Sequence, residues 1–289
     1  RPTMYAQTQE NTNHKTLQGN NLKPITFDSI RSARDFRRNY ATSNSPLYGN
    51  DRWHFQYISK EYPENIEFDK NLIKIFTIDI ETTADGGFPD VENPTEEILC
   101  LTIKNQSNKQ IITWGTRPYL AKQENVTYIE CKSEKQLLME FFKFWMKNYP
   151  DVITGWNTKF FDIPYLCNRT KRLVGDKVIN KLSPWGLIEE EKLTVRGRQQ
   201  TIFKIMGISN LDYLDLYVKF IPTRQESYKL DYIAKVELGS DGKDNNPYDT
   251  FREWYTNDFQ SFVDYNIKDV ELVDQLEDKL RLIELILTM

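Results

Sequence analysis

At 289 residues, with 39% hydrophobic and 13% aromatic side chains, the chain can bury a sizeable core and is expected to form one large domain and a smaller one. Its net charge of -4 lacks the basic footprint usual in nucleic-acid binders, although bound metal ions can reverse the field around a carboxylate cluster. The three cysteines, Cys100, Cys131 and Cys167, have no C-x-x-C spacing, which speaks against a disulfide framework or a zinc site, and no apolar run is long enough to cross a bilayer.

From Arg1 to about Asp69 the composition is polar and broken. Asp28 to Phe36 reads as a short capped helix, and the alternation in Trp53-His54-Phe55-Gln56-Tyr57-Ile58 predicts a strand. A small α+β unit is expected here, ending near residue 70, where the apolar run Leu72, Ile73, Ile75, Phe76, Ile78, Ile80 predicts a buried strand. Asp79 and Glu81 lie two apart near the end of that strand, so they project from one face. Two carboxylates side by side resist desolvation. Either the strand runs out into water there, or a hard divalent cation offsets them.

A tight loop follows at Gly86-Gly87-Phe88-Pro89, then two strands, Glu97–Ile103 and Gln110–Trp114, continuing a meander. Ser133 with Gln136 forms a capping box opening an amphipathic helix that Pro150 closes. Asp151–Trp156 reads as a strand turning into a helix near Pro164. Residues 193–205 predict a hairpin with a basic tip at Arg196-Gly197-Arg198, Leu211–Tyr217 a buried segment, and Gly239–Pro247 a polar loop. The chain finishes on a helix from about Asn257 with Phe259, Phe262, Val263, Val270, Val273, Leu276 and Leu280 facing the core. The expected fold class is α/β, a mixed sheet flanked by helices. The start at Arg1-Pro2 and the helical pattern still running at Leu282–Leu287 are expected of a piece of a longer protein.

Two further acidic elements stand out. Asp162, in Asn157-Thr158-Lys159-Phe160-Phe161-Asp162, is either a helix cap ahead of Pro164 or part of an acidic site. Tyr265 and Asp269 are four apart on the last helix, so they share a face, as polar edges of an amphipathic helix or as partners at one site.

Taken in order, Asp79-Ile80-Glu81, Asn157 to Asp162 and Tyr265 to Asp269 resemble the three motifs of the proofreading 3'-5' exonuclease of family B DNA polymerases, in its tyrosine-bearing variety. Ile153–Asn157, Phe161–Tyr165, Leu211–Tyr217 and Tyr265–Glu271 are similar to the polymerases of T-even-like bacteriophages, and the likeness extends over nearly the whole chain. It implies a ribonuclease H-like exonuclease fold over residues 71–289 and part of the phage-type N-terminal domain over residues 1–70. It also implies that Asp79, Glu81, Asp162 and Asp269 bind two divalent ions, Mg2+ or Mn2+, for phosphodiester hydrolysis, with Tyr265 and Glu81 orienting the attacking water. His14 and His54 both precede that region, which disfavours the histidine-bearing branch.

The implied substrate is a single-stranded or frayed DNA 3' end, or primer-template DNA, in the cytoplasm of a bacterial host. Phe88 and Phe161 are candidates for stacking on bases, and Asn157 for a terminal phosphate or sugar. Phe161 reads equally well as a core residue. Arg196 and Arg198 resemble the tip of a strand-separating hairpin, and read alternatively as a solvated turn. The implied partner is the remainder of the polymerase, in cis or as a separate chain. Palm, fingers and thumb regions are absent from the sequence, and the loop between Gly239 and Asp258 departs from the phage pattern in length. Competing readings are a free-standing exonuclease, one subunit of a split polymerase, or a non-catalytic nucleic-acid-binding module with a degenerate site. Because every acidic residue of the motifs is present, the last is disfavoured.

Overall fold

A computed structural model describes residues 1–40, 46–64, 69–195, 197–239 and 247–289, and divides into two compact units, Arg1–Phe68 and Asp69–Met289. In the first unit β1 (Thr3–Gln7) pairs antiparallel with β2 (Leu22–Thr26) and β3 (Leu47–Tyr48), beside α1 (Ile30–Tyr40) and α2 (Trp53–Glu61). The strand expected at residues 53–58 is therefore helix α2. Its aromatic alternation serves no sheet face: Phe55 and Tyr57 are exposed, and Trp53 alone of the three joins Met4 and Ala33 in a small core. Gln56, one turn on from Trp53, anchors the helix by accepting from Thr3 N at 2.9 Å and donating to Thr3 O at 2.7 Å.

The second unit is built, among the described residues, on a sheet of six strands. They are β4 (Ile75–Thr82), β5 (Ile98–Asn105), β6 (Ile111–Gly115), β7 (Val126–Glu130), β8 (Val152–Thr154) and, after the hairpin, β11 (Ser209–Asn210), in the order β11-β8-β4-β5-β6-β7. β4, β5 and β6 form the expected antiparallel meander, while β7 joins β6 and β8 joins β4 in parallel. Mixed pairing of this kind, with helices on both faces, is the expected α/β architecture. Leu72 falls outside the strand, in an exposed turn.

Period-two alternation splits β4 between two environments. Phe76, Ile78 and Ile80 enter a core with α3 (Glu134–Asn148) and α4 (Asp162–Val174), and α5 (Asp176–Ile179) closes its edge. Ser133 caps α3 as expected, accepting from Gln136 N at 3.3 Å, while Gln136 Oε1 accepts from Lys132 N at 2.8 Å. The hairpin is longer than expected, with β9 (Ile188–Val195) paired to β10 (Arg198–Ile205). Beyond it come α6 (Tyr213–Phe220), α7 (Leu230–Leu238), α8 (Phe251–Asn257), α9 (Phe259–Leu280) and α10 (Leu282–Thr288).

Helix α9 covers the other face of the sheet. Val263 and Ile267 pack with Leu99, Cys100 and Ile111, while Leu272, Val273 and Leu276 pack with Ile75, Val152, α6 and α7. The single closing helix of the sequence reading is two. Arg281 takes a left-handed conformation, φ 54°, and the buried Glu277 carboxylate accepts from Ile283 N at 2.9 Å and Glu284 N at 3.2 Å, turning the chain into α10.

Candidate active site

Asp79 and Glu81 leave the α9-facing side of β4, next to a register shift between Glu81 and Thr82 that ends regular pairing with β5. Asp269, on the facing side of α9, completes the group: each of the three carboxylates offers an oxygen, and these oxygens lie within 4.8 Å of one another. Neither element could assemble this alone. An all-oxygen donor set of three acidic side chains, partly sheltered from water, suits a hard divalent cation and could hold a metal ion.

Asp162 takes a different place. It is the first residue of α4, buried, and its Oδ1 accepts from Ile80 N at 3.1 Å. The alternative of a helix cap gives way to a bond across to β4, and the preceding Phe161 makes no side-chain cap either. Burial and then the charge of Asp79 push its carboxyl well above the ordinary range, opposed by the Ile80 N–H. Asp162 thus lies beside Asp79 but outside the three-carboxylate group.

A sharp turn after β8 carries Asn157, which sits in the left-handed region at φ 69°. Its backbone N–H donates to Asp212 Oδ1 at 3.2 Å and Lys159 N donates to Oδ2 at 2.9 Å, while the same carboxylate caps α6 by accepting from Leu214 N at 2.9 Å. Asp212 is buried, and desolvation pushes its carboxyl up against the pull of these donors. Replacing it with alanine orphans N–H groups on two elements. Asp212→Ala is expected to cost about 3 kcal/mol in denaturant unfolding, and Asp212→Asn, which keeps one of the two acceptor oxygens, about half as much.

Glu96 organises the loop after β4. It accepts from Thr83 Oγ1, from Asp85 N at 3.2 Å and from Gly86 N at 3.0 Å. Beyond this clasp Phe88 is 87% exposed, its ring 5.6 Å from that of half-buried Phe161. The Thr83 hydroxyl leads the donors that lower the Glu96 carboxyl. A lowered value means the clasp is complete above the ordinary carboxyl range and is lost as pH falls through the folded value. Glu96→Ala is expected to speed hydrogen exchange of the Asp85 and Gly86 amides by about tenfold or more at neutral pH, read by NMR.

Tyr265 stands beside the carboxylates. Its ring is held edge-on by Trp254, centroids 4.9 Å apart, and by Phe251 at 6.3 Å. Burial, then the charges of Glu81 and Asp79, push its phenol far above its usual value, so it keeps its proton and can donate. Asp79, Glu81, Asp269, Tyr265, Asn157, Phe88 and Phe161 all line one cleft of about 700 Å³. Lys229 and Asp231, at the start of α7, line it too. Only a folded arrangement reveals them, because nothing in their local pattern sets them apart from a helix start. Of the basic hairpin tip, Arg198 opens β10 and Arg196 lies outside the described residues.

Residues 22–233 match the model of a family described as DNA polymerase family B, exonuclease domain. The chain is 30% identical to the DNA-directed DNA polymerase of Enterobacteria phage T4, over all of this chain and 34% of that polymerase. It is 31% identical to that of Escherichia phage RB69, over 92% of this chain and 32% of the relative. It is also 30% identical to the DNA polymerase catalytic subunit of human herpesvirus 6A, over 58% of this chain and 17% of the relative. The chain therefore spans about a third of the length of its phage relatives.

Proposed function

Because this chain belongs to the exonuclease-domain family of family B DNA polymerases, we propose that its carboxylate cleft hydrolyses the terminal phosphodiester of single-stranded or frayed DNA 3' ends. The observation that carries this reading is the convergence of Asp79, Glu81 and Asp269 within 4.8 Å, in a cleft also lined by Tyr265, Asn157 and Phe88. Residues 71–289 are the exonuclease domain in this reading, and residues 1–70 part of the N-terminal domain of a phage-type polymerase. The remainder of such a polymerase is the partner, in cis or as a separate chain, in the cytoplasm of a bacterial host.

Asp79, Glu81 and Asp269, with Asp162 beside Asp79, would hold two divalent ions, Mg2+ or Mn2+. When bound, such a pair stabilises the attacking and leaving oxygens of an in-line displacement. The residues of the chain do the positioning. Tyr265, kept protonated, donates to the attacking water, and Glu81 accepts from it. Asn157, presented by its left-handed turn, donates to a phosphate or sugar oxygen. Phe88, exposed at the loop tip, stacks on a base, with Phe161 behind it.

Incubation of the protein with a 3'-labelled single strand tests the reading. Release of label with Mn2+ and none with a chelator is the expected result. Binding without cleavage under both conditions would overturn it.

A further inference from the structure

Asp79 belongs to a row of polar residues that runs across the sheet. It faces Thr102 of β5, and Thr102 faces Thr113 of β6, so all three side chains leave the same side of the sheet, under α9. There Asn266 is fully buried, as are Thr102 and Thr113. Asn266 Nδ2 donates to Asp79 Oδ2 at 2.5 Å, its Oδ1 accepts from Thr102 Oγ1, and Thr102 Oγ1 lies 2.7 Å from Thr113 Oγ1.

Proton counting gives this chain a direction. A carboxamide oxygen only accepts and a hydroxyl has one proton, so Thr102 donates to Asn266 and must accept from Thr113. Each hydrogen bond of the row then runs toward the Asp79 carboxylate, and each strengthens the next in a site of low dielectric. Rotation of Asp79 would leave a buried amide N–H without its acceptor, a costly state.

We infer that Asn266 is a positioning residue for the carboxylate group: locked by the Thr102–Thr113 hydroxyl pair, it sets the orientation of Asp79 toward Glu81 and Asp269. The inference rests on the metal-dependent reading of the cleft. Groups that orient a ligand from behind typically change metal affinity or activity by about 10- to 100-fold when removed.

The test uses the full chain and Mn2+ alone, with free Mn2+ read by electron paramagnetic resonance, alongside kcat and KM on a single-stranded oligonucleotide. Asn266→Ala is expected to bind Mn2+ about 10- to 100-fold more weakly and to lose kcat at limiting Mn2+, with KM for the oligonucleotide unchanged because Asn266 is out of reach of DNA. Thr102→Val should weaken Mn2+ binding in the same direction, and Thr102→Ser, which restores the hydroxyl, should match the wild type. If Asn266→Ala does not fold, the Val and Ser pair at Thr102 carries the decision. Wild-type Mn2+ affinity in Asn266→Ala or Thr102→Val, with only a lower Tm, would overturn the inference. Wild-type protein that binds Mn2+ but never shortens DNA would sink the exonuclease reading alone, and the ordering of Mn2+ affinities would still decide the role of Asn266.

Discussion

Asp79→Asn is expected to slow metal-dependent release of 3'-terminal nucleotides by at least about 10³-fold, a barrier increase of roughly 4 kcal/mol. Asparagine is the informative replacement. It keeps an oxygen for the Asn266 amide, which alanine would leave buried and unpaired, and so removes charge while preserving shape. The same change lowers the density of negative charge where three carboxylates come within 4.8 Å, with Asp162 adjacent. The metal-free variant should therefore melt at or slightly above the wild-type Tm, by about 2–4 °C if roughly 1 kcal/mol of repulsion is relieved. Excess Mn2+ should raise the wild-type Tm and leave that of the variant nearly unchanged, since a ligand stabilises only the fold that binds it. Single-turnover rates and paired melting curves check both arms. A variant that retains activity within tenfold would remove Asp79 from the chemistry.

Gly155→Ala is expected to be the most damaging change of a single methyl group. A Cβ at this position would lie 2.4 Å from the carbonyl oxygen of Ile78 and 2.5 Å from Thr158 Cγ2. Ile78 immediately precedes Asp79 in the central strand, and Thr158 is fully buried in the turn that leads to Asp162. No flexible group is available to yield to the carbonyl, so β8 and β4 must separate. About 3 kcal/mol of destabilisation is expected, or a Tm lowered by about 6–12 °C in a domain of this size. Activity should fall at least tenfold even below the Tm, because the displaced backbone carries both Asp79 and the Ile80 N–H that holds Asp162. A melting temperature within about 1 °C of wild type would show that the turn relaxes without moving β4.

Residues 53–58 and the carboxylates show why some features could be read from the chain and others could not. The alternation Trp53, Phe55, Tyr57 satisfies a strand pattern, yet the segment is a helix because Gln56 bonds to the backbone of Thr3 and only Trp53 finds a core. Periodicity reports which side chains are apolar, not whether a neighbouring strand exists to receive them. β7 carries no signal of its own in the chain, because its pairing with β6 is parallel and joins segments separated by a loop. Glu96, Asp212 and Asn266 look in sequence like ordinary polar residues, and acquire their roles only from backbone and side-chain groups brought to them by other elements.

Local geometry was determined by sequence. The two-residue repeat of a strand puts Asp79 and Glu81 on one side, and the four-residue step of a helix puts Tyr265 on the side of Asp269. The tertiary structure alone decided how far apart these groups stand. The apolar contacts of α9 with the sheet bring Asp269 to the strand pair, whereas the close approach of α4 to β4 sinks Asp162 onto the Ile80 amide. Distances between remote segments follow from how side chains fill the space between layers, a sum over many contacts that no short stretch of chain contains.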